Sequence, residues 1–293
     1  MIVPGRACAI QIIRYVGRPL GLLCLWDIVV TVAYLYAPES VTFPALPLSL
    51  FGSAIVVYLS FRNSAAYARW WEARTLLGAT VNYSRSFARE LSILLPEHAH
   101  ALRHLLIVRQ IAYVHALRLH LRREPPWDEL DGRLPAEEVE RLRGVANVPH
   151  AILFESARLI RREASLDSMQ LAIVAQTMRE LSNAQGGMER IRNTPFPRQY
   201  ATYPALFTHA FCLLLPLGLV QTLGVFTPLG STGLGFLLLA LLRTGDDIAQ
   251  PFSNTVHDVP LTAVARAIEM DLLDGLGSDH GLSSLTPENG VLW

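Results

Sequence analysis

The chain has 293 residues, of which 51% are hydrophobic and 17% are charged, with a mean hydropathy of +0.30. Soluble domains carry about a quarter charged residues, and here the charges avoid a few long windows and concentrate in the middle, which is typical of a membrane protein with a large aqueous part. The formal net charge is zero, which gives no indication of a nucleic-acid partner. Cys8, Cys24 and Cys212 are too widely spaced for a disulfide framework or a metal site.

Two apolar runs near the N-terminus predict a helical hairpin in a membrane. Leu20–Tyr36 has Asp27 as its only charge, and Leu46–Phe61 has none. Both runs are near the lower length limit for a span, and the proline-containing loop Ala37–Pro44 separates them. The first run is too long for the apolar region of a cleavable signal peptide, and no small-residue cleavage site follows it.

The character of the chain changes at Arg62, and arginines and acids then occur throughout up to about Tyr200. Apolar residues recur at helical spacing within this section and predict amphipathic helices. These are Ala73–Leu95, His98–Leu121, Ala136–Gly144, Ala151–Glu163 and Leu166–Gln185. The pair Gly186-Gly187 predicts the end of the last of them.

Two further apolar stretches, Tyr203–Phe226 and Gly233–Leu242, predict a second hairpin in the membrane, joined by the uncharged loop Thr227–Thr232. Arg243 and a polar tail follow. No strand-like alternation occurs anywhere in the chain. The sequence therefore predicts an all-α integral membrane protein with four transmembrane helices and a helical domain in the cytoplasm.

The predicted organisation has four parts. Residues 1–62 hold an N-terminal segment and the first transmembrane hairpin, and residues 63–201 form the cytoplasmic helical domain. Residues 202–243 form the second hairpin, and residues 244–293 form a cytoplasmic C-terminal helix and tail.

The distribution of arginines predicts the orientation of the spans. Arg6, Arg14 and Arg18 precede the first span and Arg243 follows the fourth, whereas the loops within the two hairpins carry no arginine. Because cytoplasmic segments are enriched in basic residues, both termini and the middle domain are expected in the cytoplasm.

Histidines at the start of the second cytoplasmic helix could hold a metal. His100 and His104 have the i, i+4 spacing that places two imidazoles on one helix face, and His98 is close by. Only Glu97 is near enough in sequence to add a ligand. A solvated helix start is therefore the favoured interpretation.

Asp27 is unusual because it lies inside an apolar span. A carboxylate in hydrocarbon is costly, so the side chain is expected to face protein or water. It either pairs with an arginine or makes a structural polar contact between helices, and the sequence does not choose between these interpretations.

Three residues of the second predicted span, Ser53, Val57 and Phe61, are spaced by four and therefore share one helix face. If that face surrounded a symmetry axis, rings of these side chains would form a narrow, mostly apolar constriction, and such constrictions gate by dewetting. The spacing alone does not separate this interpretation from the buried face of an ordinary span.

Three segments resemble the bestrophin family, especially its bacterial branch. They are FRNSAAYARWWEAR at 61–74, GGMERIRNTPFP at 186–197 and DDIAQPFSNTVHDVPL at 246–261. The first resembles the segment that closes the second span of that family, the second the segment before its third span, and the third its acidic Pro-Phe segment. They occur in the family's order and at its places relative to four spans, and the resemblance covers nearly the whole chain.

The resemblance implies a homopentameric ion channel in the inner membrane of a bacterium. Such a channel needs no cofactor, lies among membrane lipids and passes small monovalent ions, either chloride or sodium and potassium. The resemblance implies a hydrophobic neck at Ser53, Val57 and Phe61. The resemblance also implies a second constriction at the cytoplasmic end, on the helix ahead of the Gly-Gly segment. Counting back without gaps from Pro197 places this constriction at Met169. Ser53 and Val57 are smaller than the family's usual residues at these positions, so Phe61 is expected to form the narrowest ring.

The acidic segment near the C-terminus departs from the pattern of the animal members, which bind calcium with a run of acids after Pro-Phe. Calcium takes six to eight oxygen ligands, but here only Asp258 remains after Pro251-Phe252. An animal-type calcium site is therefore not expected. Asp246, Asp247 and Asp258 stay candidates for a regulatory or cation site, and helix-end and inter-subunit contacts are the alternative.

Two other classes of function compete with a channel. One is a membrane-embedded metal or haem enzyme that uses His209 and the cytoplasmic histidines, although no paired liganding motif occurs at membrane depth. The other is a membrane-anchored regulatory scaffold that presents the long helices as an interaction surface. We expect no enzymatic activity, because no catalytic motif is present.

Overall fold

The structure, a computed structural model, describes residues 15–38, 47–287 and 291–293. These residues form two compact units. We call residues 15–38, 47–69 and 195–250 the apolar unit, and residues 70–194, 251–287 and 291–293 the amphipathic unit. Arg6, Cys8 and Arg14, most of the predicted loop Ala37–Pro44, and Leu46 lie outside the described residues.

Helices account for the regular elements of the described chain, which confirms the all-α prediction. In order they are α1 (Arg18–Tyr36), α2 (Leu48–Leu94), α3 (His100–Arg122), α4 (Trp127–Leu130), α5 (Ala136–Leu142), α6 (Val148–Glu163), α7 (Ser168–Asn193), α8 (Arg198–Ala201), α9 (Tyr203–Leu223), α10 (Thr227–Ile248) and α11 (Leu261–Gly275). Short 3-10 turns precede α3 at Glu97–Ala99 and α10 at Gly224–Phe226. The predicted bounds of α3, α5 and α6 agree with these within a turn.

Helix α2 joins the second predicted span and the predicted helix Ala73–Leu95 into one element. Its buried positions continue without interruption through Leu59, Ala66, Ala73 and Leu77, and no glycine or proline occurs between Ser53 and Leu77. The charges that begin at Arg62 change the polarity of the helix surface without stopping the helix.

The predicted helix end at Gly186-Gly187 is wrong, because α7 continues to Asn193. A Cβ atom on Gly187 would lie 2.8 Å from Leu76 Cδ1. The glycine therefore serves a close approach between α7 and α2 within the amphipathic unit and does not end the helix.

The fourth predicted span is also longer than expected. Thr227–Thr232, predicted as a loop, forms the first turns of α10, which runs on to Ile248. Pro228 suits the first turn of a helix, where a missing N–H costs nothing. The Thr227 hydroxyl donates to the Gly224 carbonyl at 2.7 Å.

Close helix packing in the apolar unit depends on glycines. A Cβ atom on Gly218 would lie 2.2 Å from a methyl carbon of Leu48, and one on Gly235 would lie 2.1 Å from a methyl carbon of Leu23. Small residues at helix crossings are typical of transmembrane bundles, where packing replaces the hydrophobic effect as the driving force. By length and composition, the helical stretches Arg18–Tyr36 and Arg198–Ile248 could cross a membrane.

The amphipathic unit has one continuous apolar core, built from α3, α6, α7, α11 and the C-terminal part of α2. Its largest fully buried side chains include Phe87, Tyr113 and Ile152. A buried ion pair crosses this core: Arg109 donates to both carboxylate oxygens of Glu138, each at 2.7 Å. The Arg109 Nε atom also donates to the Ser156 hydroxyl at 3.1 Å.

A second buried network ties α11 to α3 and to the segment after α4. Glu269 Oε2 lies 3.2 Å from His115 Nε2, and Glu269 Oε1 accepts a hydrogen bond from Arg133 at 2.7 Å. Arg133 also donates to Glu129 at 3.0 Å. Burial alone would raise the pKa of the Glu269 carboxyl, but the hydrogen bonds and charges of His115 and Arg133 outweigh it and lower that pKa from 4.5 to about 2.

We expect Glu269→Gln to lower the free energy of unfolding by about 3 kcal/mol at neutral pH, because that is the stabilisation to which the lowered pKa corresponds. The contribution is fully present above pH 4.5 and is lost as the pH falls from 4.5 to about 2. Melting temperatures of wild type and variant, measured from pH 7 to pH 2, should therefore converge at the acid end.

The matched control for this prediction is Glu163→Gln, since Glu163 is an exposed glutamate paired with the exposed Arg162. Its melting temperature should follow that of the wild type at every pH. A constant difference between Glu269→Gln and wild type across the acid range would contradict the prediction.

Candidate functional site

One face of α2 carries the three residues predicted to form a neck. Ser53, Val57 and Phe61 are all exposed on the subunit, and Phe61 has an exposed fraction of 65%. The Ser53 hydroxyl donates to the carbonyl of Ser49 at 2.7 Å. The hydroxyl therefore has its hydrogen-bond partner within its own helix. The face formed by Ser53, Val57 and Phe61 carries no charged side chain.

The packing of the opposite face of α2 determines the direction in which Phe61 points. Leu59 is buried in an apolar cluster with Phe211 and Leu215 of α9 and Leu238 and Leu242 of α10. Leu59 and Phe61 are two positions apart, which separates them by roughly 200° around a helix. Burying Leu59 therefore directs Phe61 away from the bundle.

Arg62 anchors this helix directly after Phe61. Its exposed fraction is 2%, and its guanidinium donates to the Tyr200 carbonyl at 2.8 Å and to the Leu242 carbonyl at 3.0 Å. It also forms an ion pair with Asp246. The sequence analysis treated Arg62 only as the point at which charges begin and did not predict that it is buried. The available signal was its spacing, because Arg62 follows Leu59 by three residues and precedes Ala66 by four, which places all three on one helix face.

The backbone of α10 fits closely around this arginine. Asn63 Nδ2 donates to the Leu241 carbonyl at 2.9 Å. A Cβ atom on Gly245 would lie 2.6 Å from Arg62 Nη1 and 2.1 Å from Asn63 Oδ1. Gly245 is therefore the residue that leaves room for both side chains.

The three acids of the candidate regulatory or cation site make separate local contacts. Asp246 pairs with Arg62, and Asp247 accepts a hydrogen bond from the Tyr15 hydroxyl at 2.6 Å. Both belong to the apolar unit, whereas Asp258 belongs to the amphipathic unit. Asp258 is buried and accepts from the Thr255 hydroxyl at 2.6 Å.

Met169, the predicted cytoplasmic constriction, lies in the first turn of α7 in the amphipathic unit. Its exposed fraction is 75%. Asp167 Oδ1 accepts from the backbone N–H groups of Met169 and Gln170, and Gln170 Oε1 accepts from the N–H of Asp167. This capping box fixes the start of the helix and holds Met169 at an exposed turn.

The structure supports an interhelical polar contact for Asp27. The side chain is fully buried. Its Oδ1 accepts from the Ser231 hydroxyl at 2.9 Å and its Oδ2 from the Thr232 hydroxyl at 2.6 Å. Asp27 therefore links α1 to α10 through hydrogen bonds inside the apolar unit.

The histidines considered as metal ligands lie in two different units of the chain. His98, His100 and His104 are exposed at the start of α3. His209 Nδ1 lies 2.6 Å from the Ala205 carbonyl of its own helix. Within the part of the chain that the structure describes, no three His, Cys, Asp or Glu side chains come together in a group that could hold a metal ion.

Known proteins resemble this chain over most of its length. A family model described as Bacterial/Fungal Bestrophin protein matches residues 6–274. A voltage-dependent anion channel-forming protein of Ralstonia nicotianae is 34% identical over 261 residues, which cover 87% of this chain and 85% of the relative. The voltage-dependent anion channel-forming protein YneE of Escherichia coli is 33% identical over 241 residues, which cover 81% and 79% of the two chains.

Solved structures of a bacterial bestrophin homologue are similar in fold to this chain. A crystal structure of a bacterial bestrophin homologue from Klebsiella pneumoniae matches with a TM-score of 0.84 at 30% identity, covering 89% of this chain and 98% of that one. A variant of that homologue gives the same TM-score and covers 90% and 99% of the two chains. The chain therefore belongs to the bacterial and fungal bestrophin family.

Proposed function

We propose that this protein is a homopentameric anion channel in the bacterial inner membrane, with a pore that passes through a neck lined by Ser53, Val57 and Phe61. The observation that carries the proposal is the exposed, uncharged face of α2 that ends at Phe61. An uncovered apolar face of this kind marks a surface that meets a partner or a membrane. A cyclic assembly turns it into the wall of an axial path.

Membrane insertion is supported by the aromatic residues of the apolar unit. Tyr203 and Phe207 have ring centroids 6.0 Å apart, Tyr58 lies 6.3 Å from Phe207, and Phe196 lies 6.4 Å from Tyr200. Tyrosine is enriched at the boundary between membrane and water, and each of these pairs contains a tyrosine. We place α1, the start of α2, α9 and α10 across the membrane, with both termini and residues 63–201 in the cytoplasm.

Phe61 is proposed as the narrowest and most apolar ring of the pore. Ser53 and Val57 are small, so the outer end of the neck accommodates water more easily than the ring of phenyl groups. Apolar constrictions exclude water until they widen, and this exclusion closes the pore to ions. A second constriction at Met169 would then act on ions at the cytoplasmic end.

Anion selectivity is proposed because the curated relatives are named as anion channel-forming proteins. The edges of phenyl rings carry positive potential, so a ring of phenylalanines that presents its edges to the axis suits an anion. The protein is proposed to work without a cofactor, since ion conduction through such a neck requires no bond to be made or broken.

Purified protein in planar bilayers under a potassium chloride gradient tests the proposal. Unitary current steps with a reversal potential near the equilibrium potential of chloride are expected, together with a pentameric mass by native mass spectrometry. A reversal potential near that of potassium would overturn the anion selectivity. A folded monomer or dimer without conductance would overturn the channel and favour the membrane-anchored scaffold.

A further inference from the structure

We propose that Arg62, held by Asp246, is a positioning residue that sets the rotation of α2 about its axis and thereby aims Phe61 into the pore. This inference rests on the proposed function, because it assigns the neck to the exposed face of α2. It concerns the ion pair between the buried Arg62 and the half-exposed Asp246, which are not among the residues proposed to line the neck.

The first support is that neighbouring residues have opposite surroundings. Phe61 is 65% exposed and Arg62 is 2% exposed, although they are consecutive on α2. Consecutive side chains of a helix are roughly 100° apart. Any rotation that withdrew Arg62 from its site would therefore move Phe61 by the same angle along the surface of the subunit.

The second support is the geometry of the acceptors. The guanidinium donates through Nε to the Tyr200 carbonyl and through Nη1 to the Leu242 carbonyl, while its Nη2 pairs with Asp246. These acceptors lie on two different helices, α8 and α10. Because the guanidinium is a rigid planar fork, three acceptors in fixed directions define one rotation of α2, whereas apolar contacts such as those of Leu59 tolerate small slips.

The third support is electrostatic. A buried arginine is costly unless its charge is compensated, and the carboxylate that compensates it comes from Asp246, whose side chain is 52% exposed. The two carbonyls stay available if the carboxylate is removed, but they carry no full charge. Loss of the Asp246 charge is therefore expected to release the guanidinium toward water and to turn α2.

The fourth support is the absence of a side chain at Gly245. A Cβ atom there would lie 2.1 Å from Asn63 Oδ1 and 2.6 Å from Arg62 Nη1, so Gly245→Ala displaces the guanidinium together with the neighbouring Asn63 side chain without changing any charge. Alanine is otherwise preferred to glycine inside a helix by roughly 1 kcal/mol. Gly245 therefore makes room for Arg62 and Asn63, although a glycine does not favour the helix in which it lies.

A rotated α2 would change the chemistry of the neck. Ser60 and Ser64 are both exposed and lie on the same side of Phe61 around the helix, roughly 100° and 60° away from it, so a turn of the helix in that direction brings a hydroxyl toward the axis in place of the phenyl ring. A hydroxyl-lined ring wets more easily than a phenyl-lined one. Breaking the Arg62–Asp246 pair should therefore raise conductance even though Phe61 itself is unchanged.

Cysteine modification measures this rotation directly. In a background with Cys8, Cys24 and Cys212 replaced by alanine, Phe61→Cys and Ser64→Cys are each modified with a charged methanethiosulfonate while current is recorded. We expect Asp246→Asn to lower the modification rate at position 61 and raise it at position 64, each several-fold. Gly245→Ala should shift the two rates in the same directions, which keeps the test available if Asp246→Asn does not assemble.

The matched control is Asp247→Asn, because Asp247 is adjacent but contacts Tyr15 and Arg243. It should leave the ratio of the two rates unchanged, and Asp246→Glu should restore it. A merely structural role for Arg62 would lower thermal stability without changing the ratio, and that result would overturn the inference.

The same experiment separates the inference from the proposed function. If modification of Phe61→Cys leaves the current unchanged in protein with an intact Arg62–Asp246 pair, the neck assignment fails. If modification blocks the current but Asp246→Asn and Gly245→Ala both leave the ratio unchanged, the neck stands and only the positioning role of Arg62 fails.

Discussion

Replacing Phe61 with alanine is expected to raise the single-channel conductance several-fold and to increase the open fraction. The phenyl ring is 65% exposed on the face of α2 proposed to line the pore, and each subunit of a cyclic assembly contributes one such ring. Alanine widens the ring and removes most of its apolar surface, so water and ions enter more easily. Conductance in planar bilayers and anion flux from liposomes measure the effect.

Phe226→Ala is the control for this variant. Phe226 is a phenylalanine of the apolar unit with a similar exposed fraction, 68%, but it lies in the 3-10 turn before α10 and is not part of α2. It should leave conductance unchanged. Equal currents from the two variants, in protein of verified pentameric mass, would show that Phe61 does not restrict the pore.

Glu138→Ala is expected to destabilise the amphipathic unit by about 3–5 kcal/mol, which is the usual cost of leaving one partner of a buried ion pair uncompensated. Arg109 would keep only its hydrogen bond to Ser156 and would stay buried with an unpaired charge. A large drop in melting temperature and reduced yield of assembled protein are the measurable results. Conductance of the molecules that do assemble should be close to that of wild type.

Glu155→Ala serves as the comparison, since Glu155 pairs with Arg158 at 2.7 Å on the surface of α6. Exposed pairs contribute about 0–1 kcal/mol, so its melting temperature should stay near that of the wild type. Similar losses from Glu138→Ala and Glu155→Ala would mean that the buried pair contributes little to stability.

Local pattern predicted the helices but not where two of them end. The apolar spacing of α3, α5 and α6 follows from residues within a few turns, and these bounds agree with the structure. Arg62 suggested the end of a span because charge is expensive in hydrocarbon, and Gly186-Gly187 suggested a helix stop because glycine is a poor helix former. The helix stop at Gly186-Gly187 was overridden by packing against Leu76, which is far away in the sequence, whereas the charges from Arg62 onward change the surface of α2 without ending the helix.

The candidate site also has one part that local sequence pattern predicts and another that depends on residues far away in the sequence. The shared face of Ser53, Val57 and Phe61 follows from a spacing of four, which is a local property. The partners of Arg62 are 138, 180 and 184 residues away, and no periodicity connects an arginine with two particular carbonyls and a carboxylate. Such contacts become visible only when the helices have been placed beside one another.

The hydrogen bonds of Asp27 have a consequence for how this family can vary. Ser231 and Thr232 each give one hydroxyl to the same buried carboxylate, so an apolar residue at position 27 alone would remove the acceptor that both hydroxyls share and with it the polar link between α1 and α10. A lineage that loses the acid is expected to lose the hydroxyls as well, and the intermediate with only one change is the least fit of the series. Positions 27, 231 and 232 should therefore substitute together among relatives.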